Sequence, residues 1–263
     1  MGVVATAARR ASAQALADGL GVPLLTETPD ADSGVCVSVA EDGYALVPLG
    51  RSGPGPVRVS FDDPALRHRR RGGHNELLGR AVGWRAARPP AVLDATAGFG
   101  RDAFTLADLG CRMLLCERDP LMARLLAACI EDARGADAWL ADVASRLDLV
   151  HGDARELEPG RLEDVDTIYL DPMFTAPRRA LPGKEMQVLA ALLGSEVEAS
   201  DDDQLLAWAL AQDVRRVVVK RPRRAPPLGQ RKPGHQLTGR AIRFDVYPVR
   251  ASKAARAQGG QDQ

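Results

Sequence analysis

A ten-residue segment, Asp94-Ala-Thr-Ala-Gly98-Phe-Gly100-Arg-Asp-Ala103, constrains this chain more than any other stretch. An apolar run, Ala91–Ala95, leads into it and a helix-forming run leaves it. Two glycines one residue apart suit a strand-to-helix turn in which backbone must approach a ligand closely. The same alternation recurs downstream, with further strands expected at Arg112–Cys116, Leu147–His151, Thr167–Leu170 and Arg216–Lys220. Between the first two of these, Asp119 reads as a helix N-cap and Pro120 as the first helical residue. Leu121, Met122, Leu125, Leu126, Cys129 and Ile130 then repeat at helical spacing. Such alternation gives a mostly parallel sheet with helices on both faces. Gln236–Ala241 and Arg243–Val249 lie too close together for a crossover helix and are expected to pair antiparallel at one edge. The expectation for residues 61–250 is an α/β, Rossmann-like domain.

Residues 1–60 read as a small α/β subdomain. Val3–Thr6 suits a strand, Ala7–Leu20 a helix, and Val35–Val39 with Tyr44–Val47 a β-hairpin. Gly50–Pro56 is a turn-rich linker, Val57–Phe61 alternates like a strand, and a basic helix is expected over Asn75–Gly83. Residues 251–263, small and polar, are expected to form a disordered tail. A total of 263 residues allows one large domain and an appendage, and 45 % hydrophobic content excludes wholesale disorder. The longest charge-free run, Met186–Ser195, is too short to span a membrane. The start, MGVVATAARR, has its arginines after the apolar run, the wrong order for a secretory leader. Cys36, Cys111, Cys116 and Cys129 form no C-x-x-C pair and are expected as reduced core residues of a cytoplasmic protein. His68, His74, His151 and His235 lack metal-ligand spacing, so no metal is expected. Trp84, Trp139 and Trp208 are expected to pack.

Charge is balanced in total, 35 basic against 35 acidic residues, but not locally. Val214–Phe244 holds no acid, and Arg67, Arg69, Arg70 and Arg71 crowd a second basic stretch. Two basic segments flanking an acidic middle would form a nucleic-acid surface if the fold joined them, and would otherwise be solvated faces. Arg67, Arg69, Arg70 and Arg71, with Lys220, Arg221, Arg223 and Arg224 after the fifth strand, are the candidate phosphate contacts.

Glu117 ends the second strand of the alternating series, where a carboxylate can accept from both hydroxyls of a ribose. Together with the Gly98/Gly100 turn it points to an adenine nucleoside. Gly98-x-Gly100-x-x-Ala103 also satisfies a dinucleotide fingerprint, so NAD stays open at this point. Asp94 before the turn and Asp102 after it would repel a pyrophosphate but suit a methionine ammonium, which favours S-adenosylmethionine. Asp102 equally suits a helix N-terminus. Asp153 could meet an adenine amine or cap a helix.

Ile168-Tyr-Leu-Asp171-Pro172-Met173-Phe174 ends the fourth strand of that series, at the sheet edge where open α/β folds bind ligands. An exocyclic base amine is a weak nucleophile because its lone pair is delocalised into the ring. Asp171, helped by a neighbouring carbonyl at Leu170 or Pro172, can orient such an amine, and Phe174 can stack on the base.

Arg67-His-Arg-Arg-Arg-Gly-Gly73, Asp94–Phe104, Glu117-Arg118, Leu170-Asp-Pro-Met-Phe174, Lys184-Glu-Met186, Val217-Val-Val-Lys-Arg-Pro222 and Arg243-Phe-Asp-Val-Tyr247 form an ordered set. It resembles the bacterial small-subunit rRNA guanine-N2 methyltransferases that modify a guanosine near the 3′ end of 16S rRNA. The resemblance runs from about Val57 to Val249. It implies a class I methyltransferase fold, with S-adenosylmethionine contacts at Arg101-Asp102, Glu117-Arg118, Asp153-Ala154 and Asp171. It also implies 16S rRNA or the small ribosomal subunit as partner. Three rivals are carried forward: an N6-adenine or tRNA methyltransferase, an NAD-dependent oxidoreductase, and a nucleic-acid-binding module without catalysis.

Overall fold

The computed structural model describes residues 1–50, 55–62, 67, 76–172 and 199–249. The N-terminal strands are β1 (Val3–Ala5), β2 (Leu24–Leu25), β3 (Val35–Ala40), β4 (Gly43–Pro48) and β5 (Val57–Val59). They form one sheet in the order β2-β1-β3-β4-β5, with β1 parallel to both neighbours and the rest antiparallel. α1 (Arg10–Leu20) crosses between β1 and β2. The expected hairpin is present, one residue longer at each inner end.

The second sheet begins after α2 (Glu76–Val82) with β6 (Ala91–Asp94), followed by α3 (Arg101–Asp108) and β7 (Arg112–Glu117). α4 (Pro120–Arg134) and α5 (Ala138–Ala144) lead to β8 (Leu147–His151), and β9 (Thr167–Leu170) follows. α6 (Ala199–Leu210) precedes β10 (Arg216–Pro222), and β11 (His235–Thr238) and β12 (Ile242–Pro248) close the sheet. The order is β11-β12-β10-β9-β6-β7-β8. β6 to β10 run parallel, while β12 is antiparallel to β10 and β11 at the edge. β6 and β9 are buried along their whole length, as strands covered on both faces must be. Asp119 caps α4, accepting from the Met122 amide at 2.9 Å, with Pro120 in the first turn.

The two sheets share one apolar core. Val3, Val37 and Leu46 belong to the same buried cluster as Phe104, Leu125 and Leu126. Phe61, just past β5, stacks on Phe104 with centroids 4.6 Å apart, and Trp139 meets Phe104 edge-on. The Arg9 guanidinium donates to Tyr44 Oη (3.1 Å) and Asp132 (2.5 Å), tying the first sheet to α4. All four cysteines are buried and unpaired, and burial pushes the Cys111 and Cys116 thiols up to about 12. Trp84 and Trp139 donate to Leu109 O and Asp108 at 2.7 Å, and Trp208 packs against a second buried cluster. Among the described residues no helix is long and apolar enough to cross a membrane, and no cluster of three metal-ligating side chains occurs.

Candidate active site

The strand order reverses at β6: β7 and β8 build to one side, β9 and β10 to the other. That reversal opens a crevice at the carboxyl ends of β6 and β9, where open α/β sheets take ligands. The glycine turn spans it. Ala95 N donates to Tyr169 O (3.0 Å), while Ala97 N donates to Cys116 O (3.0 Å), so the turn is pinned to both neighbouring strands. Gly98 and Gly100 have φ of +53° and +69°. A Cβ on Gly100 would stand 2.6 Å from Leu126 Cδ1, so close packing as well as backbone conformation demands glycine there. A Cβ on Gly98 would meet only Thr96 O, at 3.9 Å, which leaves room on that side of the turn.

Glu117 closes the turn against β7. Its Oε2 accepts from Gly98 N and its Oε1 from Asp119 N, both at 2.8 Å. Each oxygen keeps a second lone-pair direction for a ligand hydroxyl. Burial pushes this carboxyl above the ordinary range, partly offset by the two amides. Asp94 lies 2 % exposed, with its Oδ1 accepting from Thr96 N at 3.1 Å. Burial, with Asp102, Asp171 and Glu117 nearby, pushes it up to about 8 against the restraint of the Thr96 amide.

Across the crevice, Asp171 N donates to Thr96 Oγ1 at 2.7 Å, so the end of β9 is latched onto the glycine turn. The Lys220 ammonium stands 2.7 Å from Asp171 Oδ2 and 2.7 Å from Asp102 Oδ2. Tyr169 Oη donates to the same Asp102 oxygen at 2.7 Å. Burial raises the Asp171 carboxyl, Lys220 opposes the rise and Asp102 adds to it. Burial acts to lower Lys220, but Asp102 and Asp171 outweigh it and hold the ammonium charged. Asp102 and Asp171 thus share one lysine, and Asp94 and Glu117 add two further carboxyl groups to the same crevice. A site with this surplus favours a cationic ligand over a pyrophosphate.

Several expectations are corrected here. Lys220 and Arg221 were expected to meet phosphates. Lys220 is instead engaged by two carboxylates inside the crevice, and Arg221 is 5 % exposed with its Nε donating to Pro226 O at 3.3 Å. Arg67 donates to Asp62 (2.7 Å) and Asp137 (2.8 Å) and lies over the Trp139 ring, so its guanidinium is held against α5. Asp153 takes the capping alternative: it accepts from Arg155 N at 2.8 Å and from the Arg155 guanidinium, beside buried Ala154. Arg118 pairs with Asp201, which Arg155 also reaches at 2.7 Å. Asp102 does more than face a helix N-terminus, since Tyr169 and Lys220 both bond to it. Arg101 donates to Arg58 O at 3.3 Å, which brings the first sheet to the rim. Pro172 follows Asp171 at the buried strand end. Arg223 and Arg224 are exposed on the loop beyond β10. Phe174, Arg69, Arg70, Arg71, Lys184–Met186 and the tail 251–263 lie outside the described residues.

Sequence reading missed Thr96, Tyr169 and Arg243. Arg243 is 5 % exposed and pairs with fully buried Asp245 at 2.8 Å. Its Nη1 donates to the carbonyls of Pro222, Arg223 and Ala225, which shapes the loop bearing Arg223 and Arg224. The signals were a tyrosine in the short strand before Asp171 and an Arg-x-Asp pair in the strand next to the sheet edge.

Comparison with known proteins follows the same lines. A family model described as "Putative SAM-dependent methyltransferase" matches residues 23–249. A protein of Halorhodospira halophila named ribosomal RNA small subunit methyltransferase J is 45 % identical over 94 % of this chain and 93 % of its own length. A protein of the same name from Pseudomonas paraeruginosa is 43 % identical, covering 91 % and 90 %. Among solved structures, a SAM-dependent methyltransferase from Neisseria gonorrhoeae superposes with a TM-score of 0.72 at 32 % identity, over 97 % of this chain and 98 % of that one.

Proposed function

The chain belongs to the SAM-dependent methyltransferase family, and from that premise we propose that it methylates the exocyclic N2 amine of a guanosine in small-subunit rRNA. One observation carries the reading: Asp171 is latched by its own amide to the turn that binds the cofactor, so an amine held by its carboxylate lies next to that turn. The residues present suit S-adenosylmethionine. Glu117 offers lone pairs to the ribose hydroxyls, the Gly98 side of the turn is open, and the surplus of carboxylates matches a ligand carrying a sulfonium and an ammonium. S-adenosylmethionine, when bound, supplies an electrophilic methyl on sulfur and a neutral thioether as leaving group.

Asp171 does the positioning. Its Oδ1 accepts one N–H of the base amine and turns the nitrogen lone pair toward the methyl. As the N–C bond forms, the amine becomes acidic, and its proton passes to Asp171 and on to water. The base must be unstacked to reach this crevice, because the amine is otherwise engaged in a helix. Arg223 and Arg224, exposed beside the site, supply the phosphate attraction. Asp94, Asp102 and Asp171 together disfavour the dinucleotide reading of the glycine turn.

The test is methyl transfer from labelled S-adenosylmethionine to small ribosomal subunits lacking the modification, read by nucleoside mass spectrometry. N2-methylguanosine is expected. N6-methyladenosine would keep the fold and overturn the choice of base. No transfer to subunits, free rRNA or assembly intermediates would overturn the proposed activity.

A further inference from the structure

We propose that Lys220 is a positioning residue of the reaction: shared between Asp102 and Asp171, it fixes Asp171 Oδ2 and keeps that carboxylate ionised, so that Oδ1 can accept from the base amine. The inference rests on the methyl-transfer reading and adds to it a residue that acts through Asp171.

The geometry is specific. Lys220 directly follows Val219, which pairs with Leu170 in the β9–β10 ladder, so its Cα is fixed beside Asp171 by backbone register. Its ammonium bonds to one oxygen of each acid, at 2.7 Å in both cases. The Lys220 side chain is 24 % exposed and that of Asp102 20 %, so water screens the three charges incompletely. The Asp171 side chain is 38 % exposed, which leaves it a face for substrate.

The charges around Asp171 make the lysine necessary. Asp102 faces it from α3 as a second carboxylate, and Asp94 from β6 and Tyr169 from its own strand are titratable neighbours whose burial favours their neutral forms. Arg221 also acts to lower Asp171, but less than Lys220, which bonds to its carboxylate directly. Without Lys220 the acids would repel one another in a partly dry pocket, and like-charged carboxylates at such range resolve the conflict by holding a proton. A protonated Asp171 offers an O–H donor where the amine needs an acceptor. In the transfer the N–C bond forms as the S–C bond breaks, the sulfonium becomes a thioether, and the amine proton moves to ionised Asp171, which passes it to water.

Two readouts test the idea, and one needs no activity. The carboxyl ¹³C signal of Asp171, identified by its loss in Asp171→Asn, is titrated in the wild type, Lys220→Met, Lys220→Arg and Asp102→Asn. Removing the cation should raise the Asp171 midpoint by about 1–3 pH units. Lys220→Arg should return it most of the way, and Asp102→Asn should move it down. The acid limb of kcat against pH should follow in the same directions at saturating S-adenosylmethionine. Affinity for S-adenosylmethionine should stay within a few-fold in Lys220→Met, because a proton taken up by the acids offsets the positive charge removed, whereas a general loss of structure would weaken it much further. A folded Lys220→Met protein with an unmoved Asp171 midpoint overturns the proposal. If Lys220→Met fails to fold, Asp102→Asn decides: a downward shift supports the shared-lysine arrangement, and none overturns it. The titration remains decisive if the wild type fails to methylate rRNA, so failure of the functional reading and failure of this inference are separable.

Discussion

The rim of the larger sheet has two halves built on opposite principles. On the β6, β7 and β9 side, the charges are carboxylates fixed by the fold: Glu117 by two backbone amides, Asp94 by the Thr96 amide, and Asp171 by the Thr96 latch and Lys220. On the loop beyond β10, the backbone is what is fixed. Arg243 binds three loop carbonyls while Arg223 and Arg224 stand in solvent. A small ligand with defined polar groups needs charges at fixed points. A nucleic-acid backbone needs only charge density, because phosphates repeat and counterions exchange. One substitution should therefore do great damage in the first half and little in the second.

Asp171→Ala is the largest expected break. Turnover should fall by about a hundredfold or more, the scale of a missing proton acceptor. Affinity for S-adenosylmethionine, measured by calorimetry, should stay within about tenfold, since the glycine turn and Glu117 are untouched. Wild-type turnover in this variant would remove Asp171 from the chemistry. Glu117→Ala should reverse the pattern. Losing charge-assisted hydrogen bonds of about 1.5–3 kcal/mol weakens the cofactor by roughly ten- to a hundredfold. Unchanged affinity would refute the ribose contact.

The acidic half also shows what a sequence reveals and hides. The strands of β6 to β9, the Asp119 cap and the antiparallel edge were legible because periodicity and capping are local signals. Glu117 and Asp171 were legible from their places at strand ends. Lys220 was misread because a run of basic residues looks like a solvated surface, whereas its two partners lie 49 and 118 residues away. Thr96 was invisible for the same reason, since its hydroxyl matters only when Asp171, 75 residues on, folds against it. The contacts of residues 1–60 were hidden in the same way: the Arg58 carbonyl accepts from Arg101, and Val3, Val37 and Leu46 share a buried cluster with Phe104, pairings that no local pattern announces. Local chemistry was readable; the pairing of distant charges depended on sheet order.

Asp94 sharpens the comparison through pH. Burial pushes its carboxyl up to about 8, so at neutral pH the free protein holds a proton there. A cationic ligand favours the ionised form and expels that proton. Affinity for S-adenosylmethionine should therefore rise with pH, by up to about tenfold per unit, and level off above about pH 8. Calorimetry at about pH 7 in buffers of different ionisation enthalpy should detect the released proton. Binding heats independent of buffer would mean that Asp94 is already ionised in the free protein.

The smallest expected effects belong to the basic half. Arg223→Ala or Arg224→Ala alone should weaken rRNA binding only a few-fold, because an exposed guanidinium is well solvated without its phosphate. The diagnostic quantity is the salt dependence. Removing one phosphate partner should reduce the slope of log K against log salt by about 0.7–0.9, and the double variant should show about twice that reduction. Cofactor affinity should not change in either case. Arg243→Ala separates the two ways of weakening this half: it leaves both exposed arginines in place but frees the carbonyls of Pro222, Arg223 and Ala225. If loop shape matters, this variant should bind rRNA more weakly with a nearly unchanged salt slope, since no phosphate partner has been removed. A slope reduced as much as in the double variant would show that Arg243 acts through charge instead, and the division between fixed charge and fixed backbone would fail.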